Sequence, residues 1–152
     1  MKALYAGSFD PFTTGHLDIV RRSLEIFPQL IIGVGVNEHK SEKSSVDQRV
    51  DSIRKIFEKE SRVEVKGYEG LTAEFAKEAG ACVLIRGVRN GTEFDKEKEL
   101  ADINLKVLGM PTVILPADPS LTFVSSTMVR ELSHNGWDIS PFLPITNVTK
   151  AE

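Results

Sequence analysis

Ala3-Leu4-Tyr5-Ala6-Gly7-Ser8-Phe9-Asp10-Pro11-Phe12-Thr13-Thr14-Gly15-His16 is the stretch on which the reading of the fold turns. Ala3 to Ala6 is a short apolar run bounded by Gly7, as a buried strand would be, and Gly7 to Thr14 reads as a loop. From Gly15 to Phe27 the apolar residues Leu17, Val20, Leu24 and Phe27 recur at helical spacing, and Thr13 or Thr14 can cap the helix. Pro28 ends it, because proline lacks the N–H and restricts the residue before it.

The same unit then repeats along the chain. Leu30 to Val36 is apolar on both alternating sets, which suits a central parallel strand covered on both faces. After a polar loop, Asn37 to Ser44, the pair Ser45 and Gln48 has the capping-box pattern, and Val46, Val50, Ile53 and Phe57 mark one face of a second helix. Arg62 to Tyr68 alternates as a strand, and Leu71 to Ala79 reads as a short helix with Gly80 at its C′ position. Ala81 to Ile85 is the next buried strand, with Cys82 read as a small buried hydrophobe. The loop Arg86 to Gly91 follows, and then a helix capped by Thr92 whose buried face carries Leu100, Ile103, Val107 and Leu108. Thr112 to Leu115 is a fifth strand, and Asp118 to Val124 a loop. Ser125 or Ser126 caps a helix through about His134, stopped by Asn135-Gly136. Ser140-Pro141 starts a last short helix, and the segment beyond about residue 145 reads as a poorly ordered tail. Five alternations of strand and helix predict an α/β, Rossmann-like, doubly wound five-stranded parallel sheet with helices on both faces, in one domain over 1–152.

Composition bounds the function. The chain has 152 residues, enough for one domain to bury a core without disulfide or metal staples. Its formal net charge of −3 speaks against a broad cationic nucleic-acid surface, though a small anionic substrate needs only a few cations. No apolar stretch reaches the length of a membrane span, and the lone Cys82 suits a reducing compartment.

Ligands of such sheets bind outside the carboxyl ends of the strands, and four loops there are unusual. In the first, Gly7 allows a tight exit from the strand, Gly15 clears the helix entrance, and His16 lies in a first helical turn that favours an anion. In the second, Asn37-Glu38-His39-Lys40, a single lysine is by spacing alone an ordinary solvated residue, and His39 stays one. In the third, Arg86 and Arg89 flank Gly87 and Val88 at the ligand edge, where arginine can grip phosphate bidentately. Glu93 and Asp95 beyond them read as support for the helix dipole. In the fourth, Ser125, Ser126 and Thr127 open a helix, with Arg130 one turn further in. Together the loops describe a multi-phosphate pocket. There is no P-loop, no Gly-x-Gly-x-x-Gly after the first strand, no zinc-ligand spacing and no Gly-x-Ser-x-Gly elbow.

These residues carry a family resemblance. Thr13-Thr14-Gly15-His16 is similar to the Thr/His-x-Gly-His signature of the nucleotidyl transferase superfamily. Val124 to Arg130 is similar to its second signature, Ile-Ser-Ser-Thr-x-x-Arg, with Val124 for isoleucine. Over nearly its full length the chain resembles the bacterial phosphopantetheine adenylyltransferases, through Gly7 to Pro11, Lys40, Leu84 to Arg89 and the helix carrying Glu97 to Asn104. The resemblance implies that ATP adenylates 4′-phosphopantetheine to give dephospho-CoA and pyrophosphate, with His16 and Lys40 catalytic. It implies 4′-phosphopantetheine on Ser8, Lys40, Thr72, Arg86 and Asn104. It places ATP on Ser8, Phe9, His16, Gly87, Val88, Arg89 and Glu97, and on Leu121, Thr122, Phe123, Val124, Ser125, Ser126 and Thr127. It further implies Mg²⁺ with ATP and no metal held by the protein alone, CoA as a feedback ligand, a cytoplasmic homohexamer, and no nucleic-acid or membrane partner. Ser8 stands where many members have threonine, and Lys96 and Leu121 where many have an aromatic residue.

An acceptor phosphate already carries about 1.5 to 2 negative charges near pH 7 and needs no strong base. Catalysis then rests on aligning two anions and neutralising developing charge. The rival readings are a nicotinate-mononucleotide adenylyltransferase, a glycerol-phosphate cytidylyltransferase, a nucleotide sensor without chemistry, and a flavodoxin-like cofactor carrier.

Overall fold

The computed structural model describes residues 1–36 and 45–145. Five strands, β1 (Lys2–Gly7), β2 (Gln29–Gly35), β3 (Val63–Tyr68), β4 (Val83–Val88) and β5 (Thr112–Pro116), form one sheet. Their order is β3-β2-β1-β4-β5, and every pairing is parallel. The helices are α1 (Thr14–Ile26), α2 (Val46–Ile56), α3 (Thr72–Glu78), α4 (Gly91–Leu108) and α5 (Ser126–His134). Short 3₁₀ turns lie at Pro119–Leu121 and Ser140–Phe142. Chain order runs outward from β1 to β3 and then jumps back to β4 on the other side of β1. That reversal opens a crevice between the carboxyl ends of β1 and β4.

Strand alternation makes two cores. Ala3, Tyr5, Ile32, Val34 and Ile85 point to one face, where Ile19 and Val20 of α1 and Val50 and Ile53 of α2 cover them. Leu4, Ala6, Ile31 and Leu84 point to the other, against Ala73 and Ala76 of α3. Small residues let α3 approach closely there. A Cβ on Gly33 would stand 3.0 Å from Leu4 and 3.2 Å from both Phe75 and Tyr68.

The caps agree closely with the chain's polar punctuation. Thr13, rather than Thr14, caps α1, and Ser45 and Gln48 form their reciprocal box at α2. Ser125 caps α5, and Gly80 and Gly136 adopt φ of 81° after their helices. Five expectations need correction. Strand β4 runs on to Val88, so Arg86, Gly87 and Val88 are strand residues, hydrogen-bonded in register with Ile114 to Pro116 of β5. Helix α4 is capped by Asn90, whose side chain accepts from the Glu93 N–H at 2.9 Å, and not by Thr92. The face of α4 expected to be buried is largely exposed: Leu100, Ile103 and Val107 stand open, and only Leu108 packs against the core. Helix α4 meets the sheet and its rim through Glu93, Glu97 and Leu108, and none of the described residues covers its apolar stripe. Cys82 is exposed, because it precedes β4 at the sheet's lower rim, where its Sγ donates to the Lys2 carbonyl at 3.4 Å. Gly7 serves space rather than turn geometry, since a Cβ there would meet the Phe9 ring at 3.1 Å. The expected tail and the Asn37–Ser44 loop with Lys40 lie outside the described residues.

Candidate active site

A cleft of about 360 Å³ opens at the β1/β4 crevice. Three segments far apart in sequence meet there: Tyr5 to Phe9 with Thr13 to His16, Arg86 to Arg89 with Glu93 and Glu97, and Leu121 with Val124 to Thr127 and Arg130. Of the residues expected to hold ATP, Ser8, Phe9, His16, Gly87, Val88, Arg89, Glu97, Leu121, Val124, Ser125, Ser126 and Thr127 line it, whereas Thr122 and Phe123 lie outside. Arg86 lines it as well. Thr72 and Asn104 stand outside it, and the Thr72 hydroxyl lies 2.7 Å from the Tyr68 hydroxyl. Gly15 lines the cleft, where it leaves the α1 entrance clear of a side chain.

His16 is held in one protonation form by the backbone. The Thr13 N–H donates to His16 Nδ1 at 2.9 Å. An N–H can only donate, so Nδ1 must be the acceptor and the neutral ring carries its proton on Nε2. The ring packs against Phe9, edge-on at 5.0 Å, and Phe12 at 5.3 Å. Burial among these rings, reinforced by the Arg89 and Arg86 charges, pushes its pKa down to about 4. His16 therefore offers a neutral Nε2–H donor near pH 7.

This shift has a stability consequence. A histidine in the unfolded chain titrates near 6.5. Since the folded value is lower, the unfolded state takes up the proton first as pH falls. The contribution of His16 is whole above about pH 6.5 and is lost progressively toward pH 4. We expect about 2 kcal/mol less stability at pH 5 than at pH 8 from this residue. Urea unfolding of the parent and of His16→Asn at both pH values checks this. A difference between the two proteins that does not change with pH would refute it.

Two of the cleft arginines, Arg86 and Arg89, are braced by carboxylates on α4. Arg86 donates through Nε and Nη2 to Glu97 at 2.9 and 2.7 Å, and through Nη1 to the Ala6 carbonyl at 2.6 Å. Burial works against its charge, but Glu97 outweighs that and raises its pKa. Arg89 donates from both its guanidinium and its own N–H to Glu93, so Glu93 is an ion-pair partner as well as support for the helix dipole. Burial also raises the Tyr5 hydroxyl's pKa, leaving a neutral phenol in the cleft wall.

The α5 entrance differs from expectation in one respect. The Ser126 hydroxyl donates to the Pro11 carbonyl at 2.7 Å, and the Ser125 hydroxyl accepts from the Met128 N–H at 3.0 Å. Arg130 donates to the Asp10 carbonyl. Ser126 and Arg130 thus tie α5 to the β1 loop while Ser125 caps it, which leaves the remaining backbone N–H groups of the first turn as the natural anion donors. Sequence reasoning passed over Tyr5 as a cleft residue, the Thr13 N–H as the partner of His16, and Arg49. Of these, only the first had a usable signal, its place in a strand that ends at the ligand edge.

The arrangement can seat a polyanion: three arginines, a neutral imidazole donor and a helix N-terminus share one cleft. A family model described as cytidylyltransferase-like matches residues 4–132. The phosphopantetheine adenylyltransferase of Porphyromonas gingivalis is 46% identical over 93% of this chain and 93% of its own. Among solved structures, a putative nicotinate-nucleotide adenylyltransferase from Vibrio parahaemolyticus aligns with TM-score 0.66 at 19% identity, over 95% of this chain and 87% of that one. A bifunctional NMN adenylyltransferase/ADP ribose pyrophosphatase from Francisella tularensis aligns with TM-score 0.72 at 13% identity. It covers 96% of this chain but only 45% of that longer one, and both structures share the fold.

Proposed function

This chain belongs to the cytidylyltransferase-like family and, within it, to the phosphopantetheine adenylyltransferases, and from that premise we propose how its cleft works. The enzyme transfers the adenylyl group of ATP to 4′-phosphopantetheine, a step of coenzyme A biosynthesis that yields dephospho-CoA and pyrophosphate. The acceptor phosphate attacks the α-phosphorus of ATP in line, with no covalent intermediate. His16 Nε2–H donates to the transition-state phosphoryl oxygens, where a neutral donor stabilises growing charge without becoming a competing acid. Arg89 and the N–H groups opening α5 hold the departing pyrophosphate. Ser8, Phe9, Gly87, Val88, Glu97 and the segment from Leu121 to Thr127 hold ATP. Arg86, Thr72 and Asn104 hold 4′-phosphopantetheine, with Ser8 between the two substrates and Lys40 on the attacking phosphate.

The single observation that carries this reading is the meeting of His16, Arg89 and the α5 entrance in one cleft at the β1/β4 crevice. Among the described residues, no three His, Cys, Asp or Glu side chains gather as a metal cage. Mg²⁺ is placed with the ATP substrate, on its phosphates, whose hard oxygens suit it. CoA, which contains the phosphopantetheine arm, competes as a feedback ligand. The exposed apolar residues of α4, Phe94, Leu100, Ile103, Leu105 and Val107, support self-association as a homohexamer. No helix among the described residues is long and apolar enough to cross a membrane, and the exposed thiol of Cys82 fits a reducing cytoplasm.

Incubation with ATP, Mg²⁺ and 4′-phosphopantetheine is expected to release pyrophosphate and give dephospho-CoA by mass analysis. Nicotinate mononucleotide and glycerol phosphate are expected to give neither. Pyrophosphate release with one of those acceptors alone would overturn the assignment. Light scattering near six chain masses tests the assembly.

A further inference from the structure

We propose that Arg49 is a positioning residue for adenylyl transfer, acting through the Ser8–Phe9 peptide at the mouth of β1. The proposal rests on the reading above that Ser8, Phe9 and His16 face the nucleotide. Arg49 lies on α2, is only 4% exposed, and is not among the residues lining the cleft. Its Nη1 donates to two backbone carbonyls, that of Ser8 after β1 and that of Gly35 at the end of β2, the latter at 3.3 Å. One buried guanidinium thus ties together the exits of two adjacent strands.

The consequence for the cleft follows from peptide geometry. The Ser8 carbonyl and the Phe9 N–H belong to one planar unit and point in opposite directions. With the carbonyl held on Arg49, the Phe9 N–H is turned away from α2 and left to the cleft that Ser8 and Phe9 line. Phe9 itself sits at φ 47°, in the left-handed region that residues with a Cβ rarely hold. Its ring is fixed from the far side, edge-on to Tyr5 at 5.1 Å and to His16 at 5.0 Å. Arg49 therefore supports this corner from one side, while Tyr5, Phe12 and His16 hold the Phe9 ring from the other. A shift of the Ser8–Phe9 peptide would move a phosphate donor and the contact face of the imidazole together. The fixed positive charge beside Ser8 also favours an anion at that corner.

The test separates positioning from mere support of the fold. Arg49→Gln and Arg49→Lys are assayed with ATP, Mg²⁺ and 4′-phosphopantetheine well below their melting temperatures. The expected result for Arg49→Gln is a fall in kcat of about tenfold or more with KM for both substrates within about threefold. The His16 imidazole resonances should shift as well. Arg49→Lys, which keeps the charge and a donor, should recover part of kcat. A folded Arg49→Gln with kcat within twofold of the parent overturns the proposal and leaves Arg49 a purely structural residue. Should that variant not fold, Arg49→Met, which keeps the stem and removes every donor, is judged by the same kcat criterion against the parent. The parent alone gives a further check, because a crystal structure with a non-hydrolysable ATP analogue should keep the Ser8 carbonyl on Arg49 and the Phe9 N–H on a phosphate. A peptide turned the other way would overturn the proposal without any variant. Loss of turnover in His16→Asn with full kcat in Arg49→Gln would refute Arg49 alone. A parent that releases no pyrophosphate would refute the reading of the site itself.

Discussion

Replacing His16 with asparagine is expected to lower turnover on the order of 10²–10³-fold, while ATP affinity and folding at pH 8 change little. The choice of asparagine follows from the two jobs the ring performs. Its Nδ1 accepts the Thr13 N–H and closes the capping box of α1. Its Nε2–H is the donor proposed to meet the reacting phosphate. The asparagine Oδ1 lies at the reach of Nδ1, so it can keep the cap, but nothing in that side chain extends to Nε2. Alanine removes both functions and is expected to lose about 1 kcal/mol of helix stability besides turnover. Glutamine is the complement, because its amide nitrogen reaches the Nε2 position and lacks the Nδ1 acceptor. It should keep more turnover than asparagine and less stability. Steady-state pyrophosphate release and urea unfolding on the three variants measure both axes. Asparagine with near-parent turnover would remove His16 from the chemistry.

Arg86→Ala should show the largest combined effect on stability and substrate affinity. Three of the guanidinium's five N–H groups hold Glu97 and the Ala6 carbonyl. Taking away one partner of a buried ion pair costs several kcal/mol because the other charge is left uncompensated. Here the Arg86 side chain keeps 34% exposure and Glu97 15%, so solvent relieves part of that, and we expect about 2 kcal/mol. KM for 4′-phosphopantetheine should rise roughly 10–100-fold, the worth of one charge-assisted hydrogen bond to a phosphate. The pair Arg86→Met with Glu97→Gln separates the two effects. Removing both charges should restore most of the stability and none of the acceptor affinity. Parent-like KM in Arg86→Ala would take Arg86 out of the acceptor site, whatever its stability.

Much of the site was legible because its determinants are local. Thr13, Gly15 and His16 lie within one turn, and so do Ser125, Ser126 and Thr127. Residue types near a helix start follow from orphan N–H groups and the dipole, which are properties of a few consecutive residues. Arg86 and Arg89 were legible for a related reason, since the end of a buried parallel strand is where such sheets bind ligands. Their glutamate partners on α4 were not, because pairing across 11 residues of turn and helix depends on how α4 lies against β4. Nor was Arg49, whose neighbours Ser8 and Gly35 lie 41 and 14 positions away. Periodicity also misplaced the face of α4. Apolar spacing states that a stripe wants covering, but not whether the cover comes from this chain.

Sequence alone determined the alternation of strand and helix, the Ser45–Gln48 capping box, the pairs Thr13/Thr14 and Ser125/Ser126 from which the structure drew its caps, and the placing of the two signature segments at helix starts, because short-range sterics and hydrogen bonding set these. Tertiary structure alone decided the strand order β3-β2-β1-β4-β5, the extension of β4 through Val88, the exposure of α4 and of Cys82, and the anchoring of the Ser8, Asp10 and Pro11 carbonyls by Arg49, Arg130 and Ser126. It also brought the Phe9 and Phe12 rings, with Arg86 and Arg89, around His16 and so kept the imidazole neutral. The reason is the same throughout: desolvation and long-range pairing depend on which surfaces meet, and that is settled only when all the elements pack together.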